Sequence, residues 1–151
     1  MPNVIPNFHG QYRWLSNFAL SPVLLDGQTY PTVEHAYQAS KTVIEEERAL
    51  IIQAPSPGRA KKMGRPKDKG GILTLRKDWC EDFQLKTMRE LLQQKFSMSP
   101  WRELLLETGD AELIEGNTWG DFYWGKVNGV GKNQLGFLIM QIRKKIRDGD
   151  G

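Results

Sequence analysis

The sequence predicts a mainly α fold, an α-rich α+β domain with one short N-terminal β-hairpin. Apolar residues recur at helical spacing at Phe83, Met88, Leu91, Leu92 and Phe96, and again at Leu135, Leu138, Ile139, Ile142 and Ile146. Strand character is concentrated around Asp26-Gly27, where β-favouring residues flank a dipeptide that signals a two-residue hairpin. At 151 residues the chain is sized for one core and shows no repeat or linker. Residues 1–148 are therefore expected to form a single domain, with 149–151 as a disordered tail.

The first thirty residues read as extended and end in the hairpin through Ser21 to Tyr30. Thr32 offers an N-cap for a helix over 33–41, with continuation through the acidic run Glu45-Glu46-Glu47 to about residue 53 left open. Pro55, Pro57 and Gly58 stop it. A short helix over 59–63 ends at Gly64, and 66–71 is a basic, flexible connection. Asp78-Trp79-Cys80-Glu81 has capping-box spacing and predicts a helix over 79–97. Ser99-Pro100 opens another helix that runs to Glu107 and stops at Gly109. Ala111 to Glu115 can form a short strand, and the last helix is amphipathic, with Arg143, Lys144, Lys145 and Arg147 on its exposed face.

Composition narrows the class. Net charge is +3, but Arg59, Lys61, Lys62, Arg65, Lys67, Lys69, Arg76 and Lys77 crowd one segment that contains a single acid, Asp68. Such a segment either holds phosphates or a nucleic-acid backbone or is a solvated face. No stretch is apolar enough to span a bilayer and the N-terminus lacks signal-peptide character, so a soluble cytoplasmic protein without membrane association is expected. The single cysteine, Cys80, has no partner for a disulfide or a zinc site and reads as a small core or boundary residue.

Chemistry concentrates in two places. The segment between Glu115 and Met140 combines tryptophans, glycines and Asp121, either as a shaped cleft loop or as a structural loop in which Asp121 forms a turn. On the helix opened by Thr32, Glu34, Tyr37, Gln38 and Lys41 share one face, either a ligand-gripping wall or an exposed stripe. His35 faces elsewhere and reads as structural, and two histidines without cysteine neighbours argue against a metal site. The polar pair Ser16-Asn17, inside an aromatic cluster, needs partners if buried or forms a simple turn. No GxGxxG after a strand, P-loop, HExxH or GxSxG occurs. Two carboxylates, Glu34 and Asp121, with tryptophans and a basic segment suit a phosphorylated, ring-containing ligand.

Asn17-Phe18, Tyr30 through Lys41, Ala60-Lys61-Lys62-Met63-Gly64-Arg65, Trp79, Met88, Lys95-Phe96, Leu104 through Gly109 and Asp121 through Gly125 together resemble the NADAR or YbiA-like family. The match runs in order from about Phe8 to Arg143. The resemblance implies a compact, mostly helical domain and N-glycosidase activity toward ribosyl compounds, either phosphoribosyl-amine intermediates of riboflavin synthesis or ADP-ribose on guanine bases of DNA. The family's Glu-His pair falls on Glu34 and His35, its Lys and Gly-Arg on Lys61 and Gly64-Arg65, and its Asp and Trp-Gly on Asp121 and Trp124-Gly125. Trp119-Gly120 lengthens the loop before Asp121 relative to the riboflavin-type pattern.

Hydrolysis of an N-glycosidic bond develops positive charge on the sugar, which an ionised carboxylate stabilises while a second handles water or a proton. The expectation is Asp121 at the sugar and Glu34 at the water or proton, with Lys61 and Arg65 on phosphate. Trp79 and Trp124 are expected to stack on the base, Asn17 to orient a sugar hydroxyl or base edge, and Phe18, Tyr37 and Trp119 to complete the base- and sugar-binding set. No metal, cofactor or obligate protein partner is expected; an ADP-ribosyl or phosphoribosyl substrate, or modified DNA carrying it, is. The alternatives are a non-catalytic module that binds ADP-ribose or a related nucleotide, and a plain nucleic-acid-binding protein.

Overall fold

A computed structural model describes residues 2–149. Its contacts gather into two compact units, one built from Asn17–Lys95 and the other from Met1–Ser16 together with Phe96–Gly151. Helix predominates and the strands are short. No helix among the described residues is long and apolar enough to cross a membrane.

In the Asn17–Lys95 unit, strands β2 (Val23–Leu25) and β3 (Gln28–Tyr30) pair antiparallel, Val23 opposite Tyr30 and Leu25 opposite Gln28. They follow β1 (Val4–Ile5) of the other unit in chain order. Asp26 and Gly27 take φ of 49° and 81°, the double left-handed geometry whose twist matches that of the flanking strands. The outer edge of β2 is occupied by the Gln94 carboxamide, which accepts from Leu24 N–H at 2.7 Å and donates to Leu24 C=O at 2.8 Å.

Helix α1 (Val33–Ala39) starts where Thr32 Oγ1 accepts from His35 N–H at 3.0 Å. Every residue of α1 is buried, and it packs against both hairpin strands, α2 (Glu45–Ile52) and α3 (Pro57–Met63). The open continuation of the first helix to about residue 53 is not what forms. Ser40 Oγ donates to Tyr37 C=O, and Thr42 Oγ1 accepts from Ile44 N–H, so hydroxyls redirect the backbone between α1 and α2. Pro57 opens a helix instead of stopping one: Ser56 Oγ accepts from Arg59 N–H at 3.1 Å and Pro57 sits in the first turn, where its missing N–H costs nothing.

Glu47 of α2 ties the following loop down. Its Oε1 accepts from Thr42 Oγ1 and Thr74 N–H, both at 2.7 Å, and its Oε2 from Thr74 Oγ1 at 2.8 Å. Helix α4 (Glu81–Phe96) begins later than its capping-box spacing implies, because Asp78 is engaged by Arg76, whose Nη2 donates to Asp78 Oδ2 at 3.1 Å. Cys80, read as core or boundary, is exposed at that start.

In the other unit, β1 pairs parallel with β4 (Glu112–Leu113), after α5 (Trp101–Glu107). The first thirty residues are not extended throughout: Gly10–Leu15 form a 3-10 helix that buries Leu15 and sets Trp14 edge-on to Phe96 at 6.5 Å. Helix α6 (Gln134–Arg147) buries Leu135, Leu138, Ile139 and Ile142. Arg143, expected on its exposed face, is buried and donates to Thr108 Oγ1 at 2.8 Å. Gly149 closes α6 with a φ of 81°, whereas residues 150 and 151 of the expected disordered tail lie outside the described residues.

Candidate active site

The Asn17–Lys95 unit gathers chemistry around α1. Glu34, in the first turn, donates its N–H to Asn17 C=O at 3.2 Å, and its side chain is only 8% exposed. One turn on, Gln38 Nε2 donates to Glu34 Oε2 at 2.6 Å. Burial pushes the Glu34 carboxyl above the usual carboxylate range, against the opposing pull of the Gln38 hydrogen bond and of Lys61, Lys41 and His35. Burial likewise lowers Lys41; Glu34 opposes that shift and Lys61 adds to it. Glu34 thus has a protonated form favoured by its surroundings while two ammonium groups bear on its ionised form. Such a group exchanges a proton nearer neutrality than a solvated carboxylate does.

Beside this carboxyl lies an aromatic edge. Tyr37 meets Trp79 edge-on at 5.9 Å, and Trp79 meets Phe83 at 5.6 Å. Lys41 Nζ lies 5.6 Å from the Tyr37 ring and the Arg76 guanidinium 4.3 Å from the Phe83 ring, so cations edge the aromatic surface. Trp79 remains partly exposed.

Of the residues expected in a site, Glu34, Tyr37, Lys61 and Trp79 converge here with Gln38 and Lys41. Asn17 joins through its carbonyl; its Nδ2 donates to Met88 Sδ at 3.5 Å and its buried Oδ1 lacks a protein partner. Phe18 flanks Gly58 at the start of α3, and Arg65 is exposed beyond the end of that helix. His35 is fully used: Nε2 pairs with Ala54 C=O at 3.1 Å and Nδ1 with Thr32 Oγ1 at 2.8 Å. Because a carbonyl only accepts, Nε2 carries the proton and Nδ1 accepts from the threonine hydroxyl. The structural reading of His35 follows from those two bonds.

Asp121, Trp119 and Trp124 belong to the loop between β4 and α6 of the other unit. Asp121 Oδ1 accepts from Tyr123 N–H at 3.1 Å and Trp124 N–H at 2.9 Å, a turn built on its own carboxylate. Trp124 packs edge-on to Tyr123 at 4.9 Å, while Trp119 is 53% exposed and edge-on to His9 at 6.4 Å. A pocket of about 370 Å³ lies alongside, lined by Asn7, His9, Asn117, Thr118 and Lys126 among others. Gly125 is required here because a Cβ would overlap Glu115 C=O. Among the described residues no cluster of three His, Cys, Asp or Glu side chains could hold a metal ion.

Sequence reasoning noted Gln38 and Lys41 as part of a polar face without assigning them to the site. Gln38 and Lys41 stand four and seven residues after Glu34, the helical spacing that puts all three on one face. Asn133, whose side chain accepts from Glu115 N–H at 2.9 Å and donates to Leu113 C=O at 2.9 Å, had none beyond its place before a helix.

Residues 7–147 match the family described as NADAR domain. N-glycosidase YbiA of Shigella flexneri serotype 5b (strain 8401) is 42% identical over 151 residues, covering 97% of this chain and 91% of that protein. A chloroplastic riboflavin biosynthesis protein, PYRR, of Zea mays is 38% identical over 125 residues, 78% of this chain and 20% of that one. The NMR structure of the E. coli protein YbiA superposes with a TM-score of 0.81 at 39% identity, covering 99% of this chain and 89% of that structure.

Proposed function

Because the chain belongs to the NADAR domain family, we infer that its buried Glu34 and the cations around it serve hydrolysis of the N-glycosidic bond in a phosphorylated ribosyl compound. The chain is an N-glycosidase-type hydrolase. The observation that carries the assignment of Glu34 is its burial beside Lys41 and Lys61 with one oxygen held by Gln38. In the reaction, the bond from the anomeric carbon to nitrogen breaks with its electron pair going to nitrogen. A water oxygen bonds to that carbon, and the proton that the water loses is balanced by the one that the leaving nitrogen gains. Glu34 is the group that exchanges this proton.

Lys61 and Arg65, at and beyond the end of α3, are proposed to hold phosphate, the lysine as a point charge and the arginine as a fork. Trp79, partly exposed and edge-on to Tyr37, offers the base an aromatic edge, and Asn17 is proposed to orient a sugar hydroxyl or base edge. For Asp121 the proposed role, stabilising the positive sugar, stands on residue type. A binding module would gain nothing from a buried carboxyl near a polyphosphate, which favours turnover over mere recognition.

The proposed substrate is a phosphoribosylamino-pyrimidine, in keeping with the name of the maize relative. ADP-ribose on a guanine base of DNA is the second reading, favoured by Trp119 and Phe122, 53% and 50% exposed, which could stack on neighbouring bases. Chromatographic assay of wild type and Glu34→Gln against both substrates tests this. Product from one substrate with wild type alone is the expected result, whereas tight binding of both without product would replace the enzyme by a reader.

A further inference from the structure

We infer that Gln38 is a positioning residue, fixing the Glu34 carboxyl for reaction, and that Gly64 is the residue that leaves room for it to do so. The inference rests on Glu34 being the reacting carboxyl of the proposed glycosidase.

Three observations converge. Gln38 is 4% exposed and spends its Nε2 on Glu34 Oε2 at 2.6 Å, short for an N–H to oxygen bond. Its other terminal atom, Oε1, is buried without a hydrogen-bond partner. Reversing the amide would aim that oxygen at the carboxylate, so the chain keeps an unsatisfied acceptor in order to keep the donor on Glu34. Finally, Gly64 at the end of α3 presses its backbone against the carboxamide: a Cβ at position 64 would overlap Gln38 Oε1 and meet Cδ at 2.6 Å. The φ of −75° at Gly64 is open to any residue, so contact and not conformation requires glycine. A buried, under-satisfied amide is an unstable choice for packing alone. It is a reasonable one where a carboxyl must be held at one angle.

Gln38 bonds the Glu34 carboxyl through Oε2, so the restraint falls on one of its two oxygens. The titratable groups that bear on Glu34 are the ammonium groups of Lys61 from α3 and Lys41 just past α1, with the His35 imidazole on α1 itself. Neither substitution below alters them.

Carbon-13 NMR titration of the Glu34 side-chain carboxyl, assigned with Glu34→Gln, tests the claim in wild type, Gln38→Met and Gly64→Ala. Loss of the bond raises the midpoint in both variants, and kcat falls about tenfold or more with KM nearly constant, as for other groups that orient a reacting ligand. The same Glu34 midpoint in either folded variant as in wild type overturns the inference. If both variants unfold, the wild type decides: the Gln38 side-chain amide protons must follow the Glu34 titration, and their failure to do so overturns it equally. Absence of product from wild type would remove the glycosidase reading, whereas an unchanged midpoint would remove Gln38, so the two failures are distinct.

Discussion

Asn117 and Asp121 hold each other through reciprocal bonds: Asp121 N–H donates to Asn117 Oδ1 at 3.0 Å, and Asn117 Nδ2 donates to Asp121 C=O at 2.9 Å. The pair closes a small ring of side chain and backbone, from which Asp121 Oδ1 reaches forward to two further amides. The shape of the tryptophan loop is therefore set by Asn117, and the acid it carries is placed by its neighbours.

Asn117→Ala should destabilise the protein by about 1–2 kcal/mol, because the part-buried Asp121 N–H and C=O lose partners. The urea midpoint measures this, and a change below about 0.5 kcal/mol would show the loop to be held elsewhere.

Asp121→Asn separates architecture from chemistry. Asparagine keeps an oxygen for the Tyr123 and Trp124 amides, so a residue that only shapes the loop tolerates the change. If Asp121 stabilises positive charge on the sugar, turnover falls about 100-fold or more while the urea midpoint stays near wild type. Near-normal turnover would leave Asp121 as a turn-former.

Glu47 governs acid stability. Burial works to raise its carboxyl, but the Thr74 N–H, the Thr42 and Thr74 hydroxyls and Lys67 together hold it below the ordinary range. A depressed folded value makes its contribution present above the unfolded value, about 4.3, and lost as pH falls through the folded one. Glu47→Gln should cost about 1–3 kcal/mol at pH 7, a deficit that shrinks on acidification below about pH 4. A deficit independent of pH would mean that Glu47 packs without acting through its charge.

Lys95 has no exposed surface, and burial lowers its ammonium to about 7. The unfolded chain, with a lysine near 10.4, then binds more protons than the folded one between about pH 7 and 10, so stability rises with pH across that window. Lys95→Met should flatten the rise, read as the difference in urea midpoints of the two proteins at pH 7 and 9. Parallel curves would dissociate Lys95 from it.

The elements that the sequence makes legible are those with local causes. The Asp26-Gly27 hairpin, the Thr32 cap and the apolar periodicities of α4 and α6 each follow from a few adjacent residues. Whether the first helix stops at about residue 41 stays open in the sequence because good helix formers, Glu45 to Glu47, follow it; the hydroxyls of Ser40 and Thr42 redirect the chain only with partners such as Glu47. Periodicity places Arg143 on the solvent face, yet Thr108, 35 residues away, gives it a buried partner. In the site, Glu34 was visible as a carboxylate at helical spacing from Gln38, but its burial was not, since that depends on α3 and the hairpin closing over α1. Gly64 reads as a helix stop in the sequence; only the folded chain shows the carboxamide it accommodates.

The carboxamide of Gln94 imitates a neighbouring strand. By taking both the N–H and the C=O of Leu24, it fills the place where a third strand would add to the hairpin. Leu24 itself is more than half exposed, so an open edge there would combine sticky backbone with a sticky side chain. One glutamine on a helix thereby guards against intermolecular zippering, and its replacement would first be felt as poor solubility at high concentration, before any effect on catalysis.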